Sequence, residues 1–344
     1  MASQHVNPLG ALGKSGVSAP RLGYGCMSLS NNLYAGAPSE EDAIKLLRRA
    51  YELGVRLFNT SDLYGPYTNE QLLAAAFPAS AYPDVVFATK WGAMFVPGAG
   101  IVNDNSRENC RKSCEGALSR LQRPALDLFT YRGPPSASAA GIADTMQECK
   151  LLLAEGKIRG VGLSEVSAEQ VRQAAAVVPI AAVELEWSLF TRDAEDEIIP
   201  TCRELGISIL AYSPLSRGLL TGTVRSAEQI QESDFRRKGF PRLDNLDKNL
   251  VLVDRVAAIA GRKGCTPGQL ALAWVLSRGA DVFPIPGTRS IANLEQNMGA
   301  LAVALSAEEC KELEEAVPAD QVVGDRYAHM AATFHGAKGT AAHH

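Results

Sequence analysis

Two short segments combine an apolar run with side chains that could move a proton. Residues 58–65 contain Asp62 and Tyr64, and residues 87–91 contain Lys90. A tyrosine near a lysine cation that is held by an aspartate is expected to have a pKa below its usual value of about 10. Such a phenol could act as a general acid near neutral pH. The alternative is a surface ion pair beside a packed tyrosine, because structural networks also perturb pKa values.

Both segments are predicted to begin as buried strands, since they are rich in β-branched and aromatic residues. If the strands are parallel neighbours, Asp62, Tyr64 and Lys90 emerge at the same carboxyl-terminal edge. The alternation of strand and helix repeats along the chain. The eight predicted strands are 21–29, 57–59, 85–89, 126–131, 160–163, 180–185, 207–212 and 281–285. The first predicted helix is capped by Ser39 and ends at Gly54. The other predicted helices are 69–77, 106–121, 142–155, 168–177, 195–205, 250–260, 267–277 and 291–298.

Two α/β folds suit this alternation, a doubly wound sheet and a closed (β/α)8 TIM barrel. The dinucleotide fingerprint of the first needs G-x-G-x-x-G, and Gly23-Tyr24-Gly25 lacks the third glycine. Eight units therefore favour the barrel, with an N-terminal β-hairpin within residues 17–29. The long loop 214–249 after strand 7 is predicted to be a lid or flexible. We expect a single domain over residues 1–330 and a flexible tail over 331–344.

Composition excludes several classes of partner and site. The net charge of -4 and pI near 5.8 argue against nucleic acid or an anionic membrane surface as the main partner. The start of the chain has no basic or apolar signal region, which predicts a cytoplasmic protein, and the seven scattered cysteines are expected to be reduced. The five histidines lie at 5, 329, 335, 343 and 344. An interior Ser-His-Asp triad or His-ligated zinc is therefore excluded, and no metal site is predicted.

Five motifs, in their order along the chain, resemble those of the aldo-keto reductase superfamily. They are residues 58–65 with Asn69-Glu70, 88–90, 156–165, 211–222 and 284–289. Ser164-Glu165 and Arg326-Tyr327 are more similar to the aryl-alcohol-dehydrogenase and pyridoxal-reductase branch. The resemblance implies a (β/α)8 barrel that binds NADPH and reduces a small-molecule aldehyde or ketone. It leaves the oligomeric state open.

The resemblance also implies roles for individual residues. Tyr64 would be the proton donor, Lys90 the cation that lowers its pKa, and Asp62 the partner of that lysine. Arg289, which begins a helix, would suit a 2′-phosphate, with a solvated surface arginine as the alternative. The cofactor set would comprise carboxamide contacts (Ser164, Glu165, Glu184), a stacking ring (Tyr212), a pyrophosphate cover (Ser213, Leu215, Arg217, Gly218) and an adenosine site (Gly287, Arg289, Asn293, Gln296, Asn297).

The chain departs from the family pattern at two positions. The usual histidine at the end of the fourth strand is replaced by Arg132, or by Tyr131 if the register slips by one residue. Glu184 stands where the family commonly has glutamine, and a carboxylate cannot donate to the carboxamide oxygen. Because the potassium-channel β subunits also lack the histidine, a regulatory or redox-sensing cofactor-binding subunit is the alternative to an enzyme.

The substrate pocket is predicted to be aromatic. Trp91, Tyr34, Trp187 and the loop 214–249 are expected to line it, which favours an aromatic or apolar aldehyde. Each of these aromatic residues could instead belong to the core.

Overall fold

An eight-stranded parallel sheet forms the centre of the protein. The computed structural model describes residues 6–30, 34–96, 100–133, 141–328, 330 and 333–335. Its strands are β1 Leu9–Ala11, β2 Ser18–Pro20, β3 Tyr24–Gly25, β4 Leu57–Ser61, β5 Val86–Trp91, β6 Ala93–Val96, β7 Gly100–Asn103, β8 Leu128–Arg132, β9 Val161–Ser164, β10 Ile180–Glu186, β11 Ser208–Tyr212 and β12 Val282–Pro284. The order in the sheet is β3-β4-β5-β8-β9-β10-β11-β12, and each neighbouring pair is parallel.

Two backbone hydrogen bonds join the first and last strands of this sheet. The amides of Gly23 and Gly25 donate to the carbonyls of Pro284 and Pro286 at 3.0 and 3.3 Å. Sheet closure removes the exposed edges that an open sheet would have. The predicted (β/α)8 TIM barrel is confirmed, and each of the eight barrel strands lies within or beside its predicted segment.

Helices follow the barrel strands and cover them. They are α1 Glu40–Glu52, α2 Thr68–Ala76, α3 Arg107–Leu121, α4 Ile142–Ala154, α5 Ala168–Ala175, α6 Ile198–Leu205, α7 Arg236–Gly239, α8 Pro241–Asp244, α9 Leu246–Lys263, α10 Pro267–Ser277, α11 Ile291–Met298 and α12 Ala307–Ala316. The predicted cap of α1 is present, because the Ser39 side chain accepts from the amide of Asp42. The helix series does not end at Met298 as predicted. The capping box Ser306–Glu309 that starts α12 was the missed signal.

Side chains of the barrel strands alternate between the interior and the helix layer. The apolar residues inside the amino-terminal half form one buried cluster with the N-terminal hairpin; its barrel members are Leu57, Val86, Ala88, Leu128, Ala181, Ala182, Leu210, Phe283 and Ile285. The consecutive residues Ala181 and Ala182 break the alternation, because the register of β10 against β9 shifts there. The alternate residues pack against the helices in a second, larger cluster. This period of two decides which polar residues can reach a site inside the barrel.

The N-terminal hairpin closes the amino-terminal end of the barrel. It pairs β1 with β2, so it begins earlier than the predicted residues 17–29. Leu12, Val17 and Ala19 join the inner apolar cluster, and the Gly13 amide donates to Ser208 Oγ at 2.9 Å. The carboxyl-terminal end is the mouth left for a site. A second hairpin, β6–β7, follows β5 there and was not predicted.

The segment after β11 contains more structure than the predicted lid. It forms a 3-10 helix over Ser216–Thr221, a second over Ala227–Gln229, and the short helices α7 and α8. Helix α9 begins at Leu246, before the predicted start at residue 250.

The tail predicted to be flexible contains a docked segment. Of residues 331–344 the structure describes Thr333–His335, and there Phe334 is 2% exposed. The Phe334 amide donates to Glu165 Oε2 at 3.3 Å, and the His335 ring hydrogen bonds to Asp193. For these three residues the prediction is corrected, because an aromatic anchor and two acids hold them. The rest of the predicted tail lies outside the described residues.

Candidate active site

Three polar side chains meet inside the barrel at its carboxyl-terminal mouth. Lys90 Nζ donates to Asn59 Oδ1 at 2.6 Å and lies 3.0 Å from Glu184 Oε1. Asn59 Nδ2 donates in turn to Glu184 Oε2 at 2.7 Å. All three residues are 5% exposed or less. They come from β4, β5 and β10, so a closed ring of hydrogen bonds ties together distant parts of the sequence.

Asp62 does not hold Lys90 as the sequence predicted. The Asp62 amide donates to the Lys90 carbonyl at 3.0 Å, but its carboxylate accepts from Ser61 Oγ at 3.2 Å. The residue follows the end of β4, whereas Asn59 and Glu184 lie within β4 and β10 and contact Lys90 inside the barrel. Desolvation, with the nearby Glu70 carboxylate, raises the pKa of Asp62 to about 7.

Tyr64 lies beside the lysine, as predicted. Lys90 Nζ is 5.1 Å from the centroid of the Tyr64 ring. The predicted lowering of the phenol pKa is nevertheless wrong in direction. Desolvation raises the pKa of Tyr64 above its usual value, Glu184 adds to this, and the cations Lys90 and Arg132 only partly oppose it. The protonated, proton-donating form of Tyr64 is therefore favoured at neutral pH.

The strand alternation separates Arg132 from its two aromatic neighbours. Leu128 belongs to the inner cluster of β8, whereas Phe129 and Tyr131 belong to the helix-facing cluster. Arg132 thus points inward, and its guanidinium has no ion-pair partner among the described residues. Tyr131 does not fill the histidine position, because it faces the helices; burial raises its pKa to about 12.

Trp91 was predicted beside the substrate and lies in the helix layer instead. It is 1% exposed, and its ring stacks on Phe129 with centroids 5.5 Å apart. Trp187 is also core, since it is 2% exposed and its indole N–H donates to Glu195 at 2.9 Å. Tyr34, by contrast, contacts Phe235 in the segment after β11. The two rings meet edge to face, with their centroids 4.9 Å apart.

Glu165 was predicted to contact a carboxamide, but protein groups occupy both of its oxygens. Arg326 donates to Oε1 and Oε2, each at 2.9 Å, and the Tyr212 hydroxyl donates to Oε1 at 2.8 Å. With the Phe334 amide, the carboxylate has four donors. A buried charge requires such compensation. Ser164, the preceding residue, lies at the end of β9 and is 3% exposed.

Arg217 is likewise a buried structural residue and not an exposed cover for a phosphate. Its guanidinium donates to Glu186 Oε2 at 2.8 Å and to the Arg326 carbonyl at 2.6 Å. The backbone around it is unusual, because Ser213, Ser216, Arg217 and Gly218 all have left-handed φ values between 47° and 97°. Ser216 Oγ is buried without a hydrogen-bond partner among the described atoms. Left-handed turns of this kind can present backbone N–H groups to an anion.

The residues predicted for an adenosine site gather at α11. Arg289, Asn293 and Gln296 are exposed, whereas Asn297 is 9% exposed. Arg289 Nη1 donates to the carbonyls of Ala35 and Gly36. Gly287 lies against the β3 backbone, since a Cβ built there would be 2.7 Å from the Gly25 carbonyl oxygen.

Sequence comparison identifies the family to which this barrel belongs. The aldo/keto reductase family model matches residues 21–318. Probable aldo-keto reductase 1 of Glycine max is 41% identical over 329 residues, which cover 95% of this chain and 93% of that protein. The chain belongs to the aldo/keto reductase family. It is therefore an oxidoreductase of small-molecule carbonyl compounds.

Solved structures agree with this aldo/keto reductase fold. The glycerol dehydrogenase from Gluconobacter oxydans has a TM-score of 0.81 and 26% identity, covering 92% of this chain and 95% of that one. An aldo-keto reductase from Klebsiella pneumoniae, solved with NADPH, has a TM-score of 0.69 and 23% identity, covering 90% and 95%. Among the helices of the described residues, none is both long and apolar enough to cross a bilayer.

One residue of the site was missed at the sequence level. Asn59 was treated as part of a strand, although it hydrogen bonds to both Lys90 and Glu184. The sequence contained a signal for this role. Asn59 lies two residues after the inward-facing Leu57, so the two side chains are on the same face of the strand.

Proposed function

We propose that the protein reduces an aldehyde or ketone to the alcohol with NADPH as the hydride donor. The observation that carries the proposal is the contact of Tyr64 with Lys90, 5.1 Å from ring centroid to Nζ, at the carboxyl-terminal mouth of the barrel. Active sites of (β/α)8 enzymes lie at that end. Membership of the aldo/keto reductase family supports the reaction class.

Each side chain at the mouth has a part in this proposal. The Tyr64 hydroxyl donates its proton to the carbonyl oxygen as negative charge develops there. The Lys90 and Arg132 cations favour that charge electrostatically. Arg132 faces the oxygen from the position of the usual histidine but, being always charged, does not shuttle a proton. NADPH, when bound, would supply the hydride.

The residues assigned to NADPH are those whose side chains are not held in the buried ion pairs of Glu165, Glu184 and Arg217. Ser164 and the Tyr212 ring would hold the nicotinamide end, and the segment from Ser213 through Leu215 to Gly218 would cover the pyrophosphate. The unpartnered Ser216 Oγ supports that assignment. The adenosine end would be held by Gly287, Arg289, Asn293, Gln296 and Asn297. Arg289 precedes α11 and offers a charged fork to a 2′-phosphate, which favours NADPH over NADH.

Tyr64→Phe tests the acid directly. Loss of a general acid is expected to lower kcat by roughly 10²–10⁴-fold, while the Kd of NADPH changes by no more than about threefold. Tyr131→Phe is the matched control, because this buried tyrosine faces the helices. Steady-state rates with an aldehyde and fluorescence titration of NADPH provide both numbers. Wild-type turnover in the Tyr64→Phe protein would remove Tyr64 from the mechanism.

The second candidate function is a cofactor-binding regulatory or redox-sensing subunit with little turnover. Arg132 at the histidine position is the observation that favours it. NADPH consumed per protein molecule separates the two functions over a panel of aldehydes. Many turnovers support the reductase, and one slow turnover per molecule supports the sensor.

A further inference from the structure

Glu184 is a buried carboxylate that the proposed proton transfer does not yet use. Its oxygens lie 3.0 and 3.3 Å from Lys90 Nζ, and Asn59 bridges the same two side chains. Lys90 and Glu184 are 3% and 5% exposed, so water does not screen this pair. The two residues lie 94 positions apart in the sequence. The ion pair exists only because β5 and β10 face each other across the barrel.

Asp62 is the other carboxylate that could serve Lys90, and its surroundings differ. Its carboxylate accepts from Ser61 Oγ, and the charges near it are those of Glu70 and Arg120. Among the described residues, the ion pair of Lys90 within 4.0 Å is with Glu184.

We propose that Glu184, and not Asp62, is the positioning residue that neutralises and orients Lys90 beside Tyr64. The inference rests on the reductase function proposed above. It also gives a role to the departure at this position, because a glutamine there would leave the lysine charge unbalanced. Asn59 completes the arrangement by fixing the carboxylate and the ammonium at once.

The charged groups around Tyr64 set the sign of the expected effect. Lys90 from β5 and Arg132 from β8 favour the phenolate, whereas Glu184 from β10 disfavours it. The Cys26 thiol after β3 also senses the Lys90 charge. Removing the negative charge of Glu184 leaves two cations facing the phenol. Tyr64 should then ionise at lower pH, and the proton needed for reduction should be lost at lower pH.

Titration of Tyr64 tests this effect without requiring turnover. Near-ultraviolet difference absorbance between each protein and its Tyr64→Phe counterpart isolates the ionisation of this one phenol. Glu184→Gln is expected to lower its apparent pKa by about one unit or more. Glu184→Asp retains the negative charge, so the apparent pKa of Tyr64 in that variant should stay close to the value in the parent protein. Asp62→Asn should shift the apparent pKa by a smaller amount. A shift in Asp62→Asn that equals or exceeds the shift in Glu184→Gln would overturn the proposal.

A double-mutant cycle in urea tests the ion pair itself. Glu184→Gln and Lys90→Met each leave a buried charge unpaired, so the double variant should lose less stability than the sum of the two single losses. The control cycle pairs Asp62→Asn with Lys90→Met and should be closer to additive. If Glu184→Gln alone does not fold, recovery of folding in the double variant demonstrates the coupling.

Additivity in the Glu184 cycle would overturn the proposal, and so would a double variant that stays unfolded where Glu184→Gln does not fold. Since neither experiment depends on activity, the failure of the reductase function would be seen separately. In an active enzyme, the alkaline limb of kcat/KM against pH should move in the same direction as the Tyr64 titration.

Discussion

At the scale of single residues, the site is governed by which charges are taken out of water. Tyr64 carries a raised pKa in spite of the adjacent Lys90, because desolvation is the largest influence on it. Asp62 shows the same physics, with a pKa raised to about 7. Proximity of a cation is therefore a poor guide to acidity when the group is also buried.

The raised pKa of Asp62 predicts a stability change with pH. The folded protein binds the Asp62 proton more tightly than the unfolded chain, whose carboxyl has a pKa of 3.8. Its contribution to stability is thus present at low pH and lost as the pH rises from about 4 to about 7. The stability of Asp62→Asn relative to the parent protein should therefore be greater at pH 8 than at pH 5. The expected increase is about 1–2 kcal/mol after discounting for partial exposure.

Urea unfolding of both proteins at the two pH values measures this difference. Glu41→Gln is a suitable control, because Glu41 is a surface residue whose side chain is 79% exposed. An Asp62→Asn effect of the same size at both pH values would contradict the shifted pKa.

At the scale of elements, the segment that includes Arg326 and Phe334 completes the mouth of the barrel. Arg326 is 1% exposed and binds Glu165, while His335 binds Asp193. Desolvation raises the pKa of Asp193, but His335 and Arg326 outweigh it, so the net shift is downward. The terminal segment therefore holds Glu165 and Tyr212 in place by charge as well as by packing.

Phe334→Ala is expected to release this segment. The substitution removes a buried ring, a change that costs about 3 kcal/mol in a well-packed core, and it weakens the hydrogen bond from the Phe334 amide to Glu165. Hydrogen exchange should increase over residues 326–328 and 333–335 and change little in β4 and β5. Val251→Ala, at a residue 53% exposed, is the control. Unchanged protection of residues 326–328 and 333–335 would show that Phe334 does not anchor them.

At the scale of the whole molecule, the barrel depends on its seam, the junction at which β3 meets β12. Closure at β3 and β12 rests on the amides of Gly23 and Gly25, and there the Gly287 and Gly25 backbones are in contact. The seam brings the start of the chain against residues some 260 positions later, as the contact of Tyr24 with Thr288 shows.

Gly287→Ala should strain that seam. An added Cβ would lie 2.7 Å from the Gly25 carbonyl oxygen, so backbone must shift, and overpacking of this kind costs about 1–3 kcal/mol. Gly261→Ala in α9 is the matched control: nothing lies within 4 Å of its new Cβ, and it should stabilise the helix by about 0.5–1 kcal/mol. Thermal unfolding without cofactor compares them. Equal stabilities of the two variants would contradict a seam closed by glycine contacts.

The sequence by itself determined the elements and the place of the site. Runs of buried β-branched and aromatic residues, such as 57–59 and 85–89, are local signals, and so is the cap at Ser39. Their alternation was enough to predict the barrel. Since parallel strands present their carboxyl ends on one side, the meeting of Tyr64 and Lys90 followed as well. The missed helix α12 and the β6–β7 hairpin were errors of local interpretation.

Only the tertiary structure decided which side chains pair. Lys90 meets Glu184 instead of the nearby Asp62 because inward direction and strand register, not sequence distance, bring side chains together. The one-residue difference between Tyr131 and Arg132 turns one toward the helices and the other into the barrel. Burial then determined the direction of the Tyr64 pKa. Desolvation depends on everything that packs around a group, and no short motif contains that information.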